Sequence, residues 1–165
     1  MTTIYVDADA CPVRAEVERV AERHGVAVVH VSNGGIRPSR DPMVRTVVVP
    51  EGPDAADRWI AERAGPGDVV VTADVPLAAR VVETGAMALG HRGDRFTRDN
   101  VGAKLATRDL MADIRAANPL ATPGGGRPFA KADRSRFLGA LDRTVRAARR
   151  ESGTDGRDAG PAAGG

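Results

Sequence analysis

Short β-branched runs that alternate with amphipathic helical stretches predict an α/β fold. The expected architecture is a single three-layer domain around a mostly parallel five-stranded sheet, with extra C-terminal helices. Three observations carry this. VAVVHV (26–31), RTVVV (45–49) and DVVVT (68–72) have the near-continuous apolar character of strands buried on both faces. The stretches between them hold apolar residues at helical spacing and stop at glycines. Two strands, the first of the chain and the one at 68–72, run directly into aspartates.

In chain order, Ile4, Tyr5 and Val6 make the first strand, which passes through Asp7 and Asp9 to Pro12, a residue suited to opening a helix. Over 13–24, Val13, Val17, Val20, Ala21 and His24 keep helical spacing, and Gly25 stops the helix. The second and third strands (26–31 and 45–49) flank NGGIRPSRDP, a loop dense in turn residues. A second helix spans 54–64, entered through Gly52-Pro53 and ended by Gly65-Pro66-Gly67. After the fourth strand (68–72), Asp74 caps a helix with Pro76 in its first turn and Gly85 at its end. AMALG (86–90) is the fifth strand. Helices at 98–106 and 108–117, the latter behind a Thr107 cap, precede a Gly/Pro loop (118–128) and a basic helix (132–150). The folded domain is thus 1–150. Residues 151–165 lack core-forming side chains and are expected to be a disordered tail.

Right-handed crossovers require one reversal of strand order, most simply beside the first strand, which gives 3-2-1-4-5. That order sets the VDAD and VVVTAD strands side by side, both ending in Asp at the carboxyl edge where open sheets bind ligands.

Composition removes several classes. Aromatic residues are 3% of the chain, too few for a stacking surface of several rings. One cysteine, Cys11, excludes an internal disulfide and fits a reducing compartment. No apolar run reaches the ~18 residues of a membrane span, and a strand begins within three residues of Met1, so a cytoplasmic protein without a leader is expected. Gly124-Gly125-Gly126 has no GK[ST] and is not a P-loop. The net charge of +2 is unevenly placed, with eight Lys/Arg against two Asp/Glu over 127–150. On that helix Phe137, Leu138, Leu141, Val145 and Ala148 form an apolar stripe, and Arg136, Arg143, Arg146 and Arg150 lie opposite, a solvated or phosphate-tracking face.

The acidic residues carry the chemistry. Asp7, Asp9 and Asp74 are expected in one crevice. Asp57 stands beside it in the first turn of the second helix, next to the apolar positions Ala56, Trp59 and Ile60. Each like-charged pair costs about 1 kcal/mol at 4 Å in water and about 4 kcal/mol at an effective dielectric near 20. A cation or a shared proton must offset this. Oxygen-only ligands suit Mg²⁺ or Mn²⁺ rather than zinc, and such ions serve phosphoryl chemistry.

VDADACPV, SNGG with the RPSR loop after it, DAAD, VVVTADVPLA, HRGDRFT and the final basic helix resemble the YaiI/YqxD family over residues 3–150. That uncharacterised family is grouped with PIN-like nuclease folds. The resemblance implies a PIN-like domain and a metal-dependent ribonuclease in which Asp7, Asp57 and Asp74 match the acidic positions, with Asp9 and Asp94 as additions. The family turn after the second strand reads Asn-Gln where this chain has Asn33-Gly34, so no glutamine acts there.

The leading expectation is therefore a nuclease that prefers RNA. Asp7, Asp9 and Asp74 would hold one or two Mg²⁺ or Mn²⁺, and Asp57 would complete the shell. Asn33, Arg37, Arg40, Arg92, Asp94, Arg95, Arg143 and Arg146 would meet substrate. A second expectation is a haloacid-dehalogenase-like phosphatase, since its signature is also an apolar strand ending in DxD. Asp7 would be its nucleophile, Asp9 its acid/base and Thr72 a phosphate contact. A third is a catalytically silent RNA-binding protein. Membrane association is not expected, and nothing in the sequence sets the oligomeric state.

Overall fold

The computed structural model describes residues 1–52, 54–117 and 128–163, the stretch 154–163 by its backbone alone. Pro53 and most of the 118–128 loop, with its three glycines, lie outside the described residues.

The elements are β1 (Thr3–Asp7), α1 (Arg14–His24), β2 (Ala27–Ser32), β3 (Val44–Val48), α2 (Ala55–Arg63) and β4 (Val69–Val71). Then follow α3 (Val75–Glu83), β5 (Met87–Leu89), β6 (Arg95–Phe96), α4 (Val101–Ala117) and α5 (Lys131–Ala163). The sheet order is β3-β2-β1-β4-β5-β6, parallel except for the last pair. The expected 3-2-1-4-5 order therefore holds, extended by one strand.

β1 is central, and its side chains alternate between two cores. Ile4 and Val6 join Val17, Val20, Phe137, Leu141 and Val145 under α1 and α5. Tyr5 turns to the other face, where Ile60, Leu77 and Val81 of α2 and α3 pack on Val31 and Val70. Its ring meets Trp59 edge-on, with centroids 6.1 Å apart. Two helical layers thus cover a β-branched sheet, as the near-continuous apolar strands require.

The turn chemistry agrees with the sequence at two ends. Gly25 closes α1 at φ 64°, and Asp74 caps α3 by accepting the Leu77 N–H at 3.0 Å. Three elements differ. β6 pairs antiparallel with β5 where the sequence suggests no strand, because a run of two residues carries no strand pattern. The two helices expected on either side of Thr107 are one, α4, since the Thr107 hydroxyl donates to the Ala103 carbonyl within the helix instead of capping a new one. α5 continues past residue 150, with half-buried Ser152 against the turn at Gly67, into the stretch expected to be a tail.

α4 packs chiefly on α3, has no fully buried residue, and leaves Leu110, Met111 and Ile114 exposed. No helix among the described residues is long and apolar enough to cross a membrane.

Candidate functional site

β1 and β4 pair with Val6 opposite Val71, so Asp7 and Thr72 leave the sheet together at its carboxyl edge. Thr72 is wholly buried. Its hydroxyl donates to Asp7 Oδ2 at 3.1 Å and accepts the Asp74 N–H at 2.9 Å. One threonine thereby holds both carboxylate-bearing strand ends. Thr72, expected as a phosphate contact, has no accessible surface, and its oxygen is already engaged on both sides.

Burial raises the Asp7 carboxyl, opposed by the Thr72 hydrogen bond and reinforced by the charges of Asp74 and Asp9. Asp57 reaches the same crevice from the start of α2. Burial, then the charges of Asp74 and Asp7, then hydrogen bonding with Asp74 push it up to about 7. Asp7, Asp57 and Asp74 are thus brought together as expected.

Asp9 is turned elsewhere. Its carboxylate accepts the Ser32 hydroxyl at 2.7 Å and the Asn33 N–H at 2.9 Å, so it ties the β1–α1 turn to the end of β2. Asn33 takes part through its backbone and is otherwise exposed. Between Asp9 and Pro12 the chain passes through Ala10 at φ 59°, a left-handed conformation rarely adopted by a residue with a Cβ. Cys11 is buried beside this turn, and burial pushes its thiol up to about 11, which makes it a packing residue.

The cations divide into two groups. Arg37 and Arg40 are exposed on the β2–β3 connection, while Arg92 and Asp94 lie on the turn between β5 and β6 and Arg95 opens β6. The β5–β6 turn lies at the carboxyl edge beside the crevice, whereas Arg40 directly precedes Asp41 and Met43, which pack near Gly25 and the start of β2 at the opposite edge. Arg143 and Arg146 also lie away from the crevice. α5 runs alongside α1 with Arg134 near the crevice, where it donates to the Pro12 carbonyl at 2.6 Å and to Glu16 at 3.2 Å. Further along, Asp142 binds His24 at 2.7 Å, at the opposite end of α1, and Arg146 pairs with this Asp142 at 3.1 Å. The two arginines expected on phosphate are therefore at the far edge of the domain from the acids.

The donor set of Asp7, Asp57 and Asp74 is oxygen only, which suits Mg²⁺ or Mn²⁺. Among the described residues no group of three or more His, Cys, Asp or Glu is arranged to hold an ion. The crevice is crowded with negative charge without forming a closed ligand cage.

Two features escaped the sequence reading. The structural role of Thr72 was hidden because a polar residue at a strand end reads as solvent-facing. A cavity of about 940 Å³ beside the crevice is built from several separate segments, including Ala10, Ala73, His91 and Lys104, which no local motif links.

A family model described as an uncharacterized YaiI/YqxD family matches residues 5–147. A UPF0178 protein of Ruegeria pomeroyi is 67% identical over 152 residues, covering 92% of this chain and 99% of that protein. One of Roseobacter denitrificans is 62% identical over 148 residues, covering 90% and 97%. One of Parvibaculum lavamentivorans is 60% identical over 150 residues, covering 91% and 97%. No solved structure matches the chain. With its acidic strand ends and basic last helix spanned by that match, the chain belongs to the uncharacterised YaiI/YqxD (UPF0178) family.

Proposed function

We propose that the chain is a Mg²⁺- or Mn²⁺-dependent nuclease that hydrolyses phosphodiester bonds, in RNA ahead of DNA. The observation that carries this reading is the pairing of β1 with β4, which fixes Asp7 and Asp74 on one buried threonine and gathers Asp57 into their field. Asp7, Asp57 and Asp74 would hold the ion, while Asp9 steadies the turn that carries Asp7. When bound, such an ion supplies an activated water and steadies the leaving oxygen. Below about pH 7 Asp57 keeps a proton against Asp74. Arg92 and Arg95, at the β5–β6 turn and the start of β6, would meet phosphates.

The phosphatase alternative loses support. It needs the Thr72 hydroxyl on a phosphate and Asp9 available as acid/base, and both are engaged within the protein.

The test is cleavage of end-labelled single-stranded RNA with Mg²⁺ or Mn²⁺. Cleavage should vanish in chelator and fall more than about 100-fold in Asp7→Asn and in Asp74→Asn. Protein inert on RNA and DNA with both ions overturns the reading. RNA binding that persists in Asp7→Asn without cleavage identifies a silent binder instead.

A further inference from the structure

The cavity beside the crevice shares its walls with the acidic turns without being formed by them. Ala10 and Ala73, which line it, are the chain neighbours of Asp9 and Asp74. Its volume of about 940 Å³ lies within the ~300–1,000 Å³ typical of small-molecule sites.

Its lining has the three kinds of surface that one nucleotide needs. Two of the chain's three phenylalanines border it. Phe129 is half-buried with the Arg134 guanidinium 5.0 Å from its ring centroid, and Phe96 is buried and forms the wall behind, so one ring is offered to a base and no stacking platform exists. Lys104 stands with its ammonium 5.5 Å from the Phe96 ring centroid and has no carboxylate partner among the described residues. Among the described residues Arg108, also on α4, pairs with its exposed neighbour Asp109 at 3.3 Å, a weak pair that a phosphate could displace. The His91 Nε2 is buried with no hydrogen-bond partner among the described residues, and burial lowers the imidazole pKa. A buried polar atom left unpaired asks for a group that the protein itself does not provide.

The geometry points to a subsite for one unstacked nucleotide of a single-stranded nucleic acid, its base against Phe129 and its phosphate toward Lys104 and Arg108. A base edge supplies the donor or acceptor that His91 Nε2 lacks. A paired duplex cannot offer its base in this way, so the subsite makes single strands the substrate class. The inference deepens the nuclease reading and rests on it for the reaction, but occupancy of the cavity requires neither metal nor cleavage.

Adenosine 5′-monophosphate titrated into the full-length protein in chelator, followed calorimetrically, tests it. Ribose 5-phosphate and inorganic phosphate serve as comparison ligands. Saturable binding is expected, weakened about tenfold in Phe129→Ala and in Lys104→Gln, and about tenfold weaker for ribose 5-phosphate, which has no base. Asp7→Asn should bind at least as well as the unaltered chain. No saturable binding overturns the subsite, as does binding that both Phe129→Ala and Lys104→Gln leave unchanged, or phosphate binding as tightly as the nucleotide. Nucleotide binding without any nuclease activity leaves the subsite standing and removes the nuclease reading. Cleavage without nucleotide binding does the reverse.

Discussion

Thr72 donates its hydroxyl to Asp7 at 3.1 Å across 65 residues of sequence, from a position with no accessible surface. The same oxygen accepts the Asp74 N–H, so the spacing of the two acids is set by a neutral side chain beneath them. Replacing Thr72 with Val keeps the shape and removes both bonds. We expect a loss of about 1–3 kcal/mol in stability, read by urea denaturation, together with reduced cleavage. Thr72→Ser should recover most of both.

Asp57 links the site to pH. Its folded carboxyl titrates at about 7, above an unfolded value near 4, so the folded chain holds the extra proton between those limits. That contribution to stability is fully present below about pH 4 and is lost as pH rises through about 7. In chelator the melting temperature should therefore fall across this window. Asp57→Asn should flatten the fall, and Mg²⁺ or Mn²⁺ should reverse it if the proposed ion binds.

Asp142 separates stability from activity. It takes His24 at 2.7 Å and Arg146 at 3.1 Å, and has Arg23 at 3.6 Å, at the far edge from the crevice. Asp142→Asn should lower stability by about 1–2 kcal/mol in chemical denaturation, with cleavage per folded molecule unchanged.

Ala10 carries local backbone strain at φ 59°. Ala10→Gly relieves it and should raise stability by up to about 1 kcal/mol, whereas Ala10→Val should lower it by more than that. Thermal melts of the two variants should therefore move in opposite directions.

The fold was legible because three β-branched runs announce buried strands and the handedness of crossovers leaves few ways to order them. The meeting of Asp7 with Asp74 follows from that order, and Asp57 from its place in the first turn of a helix beside the sheet. What sequence left hidden is mostly contact-dependent. Asp9 looks equivalent to Asp7, but Ser32 and Asn33 from the neighbouring strand draw it aside. Thr107 has the character of a cap, yet its hydroxyl is satisfied one helical turn back. The basic face of α5 reads as one surface, although only the helix's first turns approach the carboxyl edge.

Those first turns impose an order on biogenesis. Arg134 fastens the Asp7–Pro12 turn from a point 122 residues further along, and Phe137, Leu141, Val145 and Ala148 close one face of the sheet. A polypeptide still being synthesised therefore has β1 and β4 long before it has the helix that shields them. Under the proposed function, catalytic competence should therefore wait for α5, which withholds RNA cleavage from a nascent chain that still lacks it.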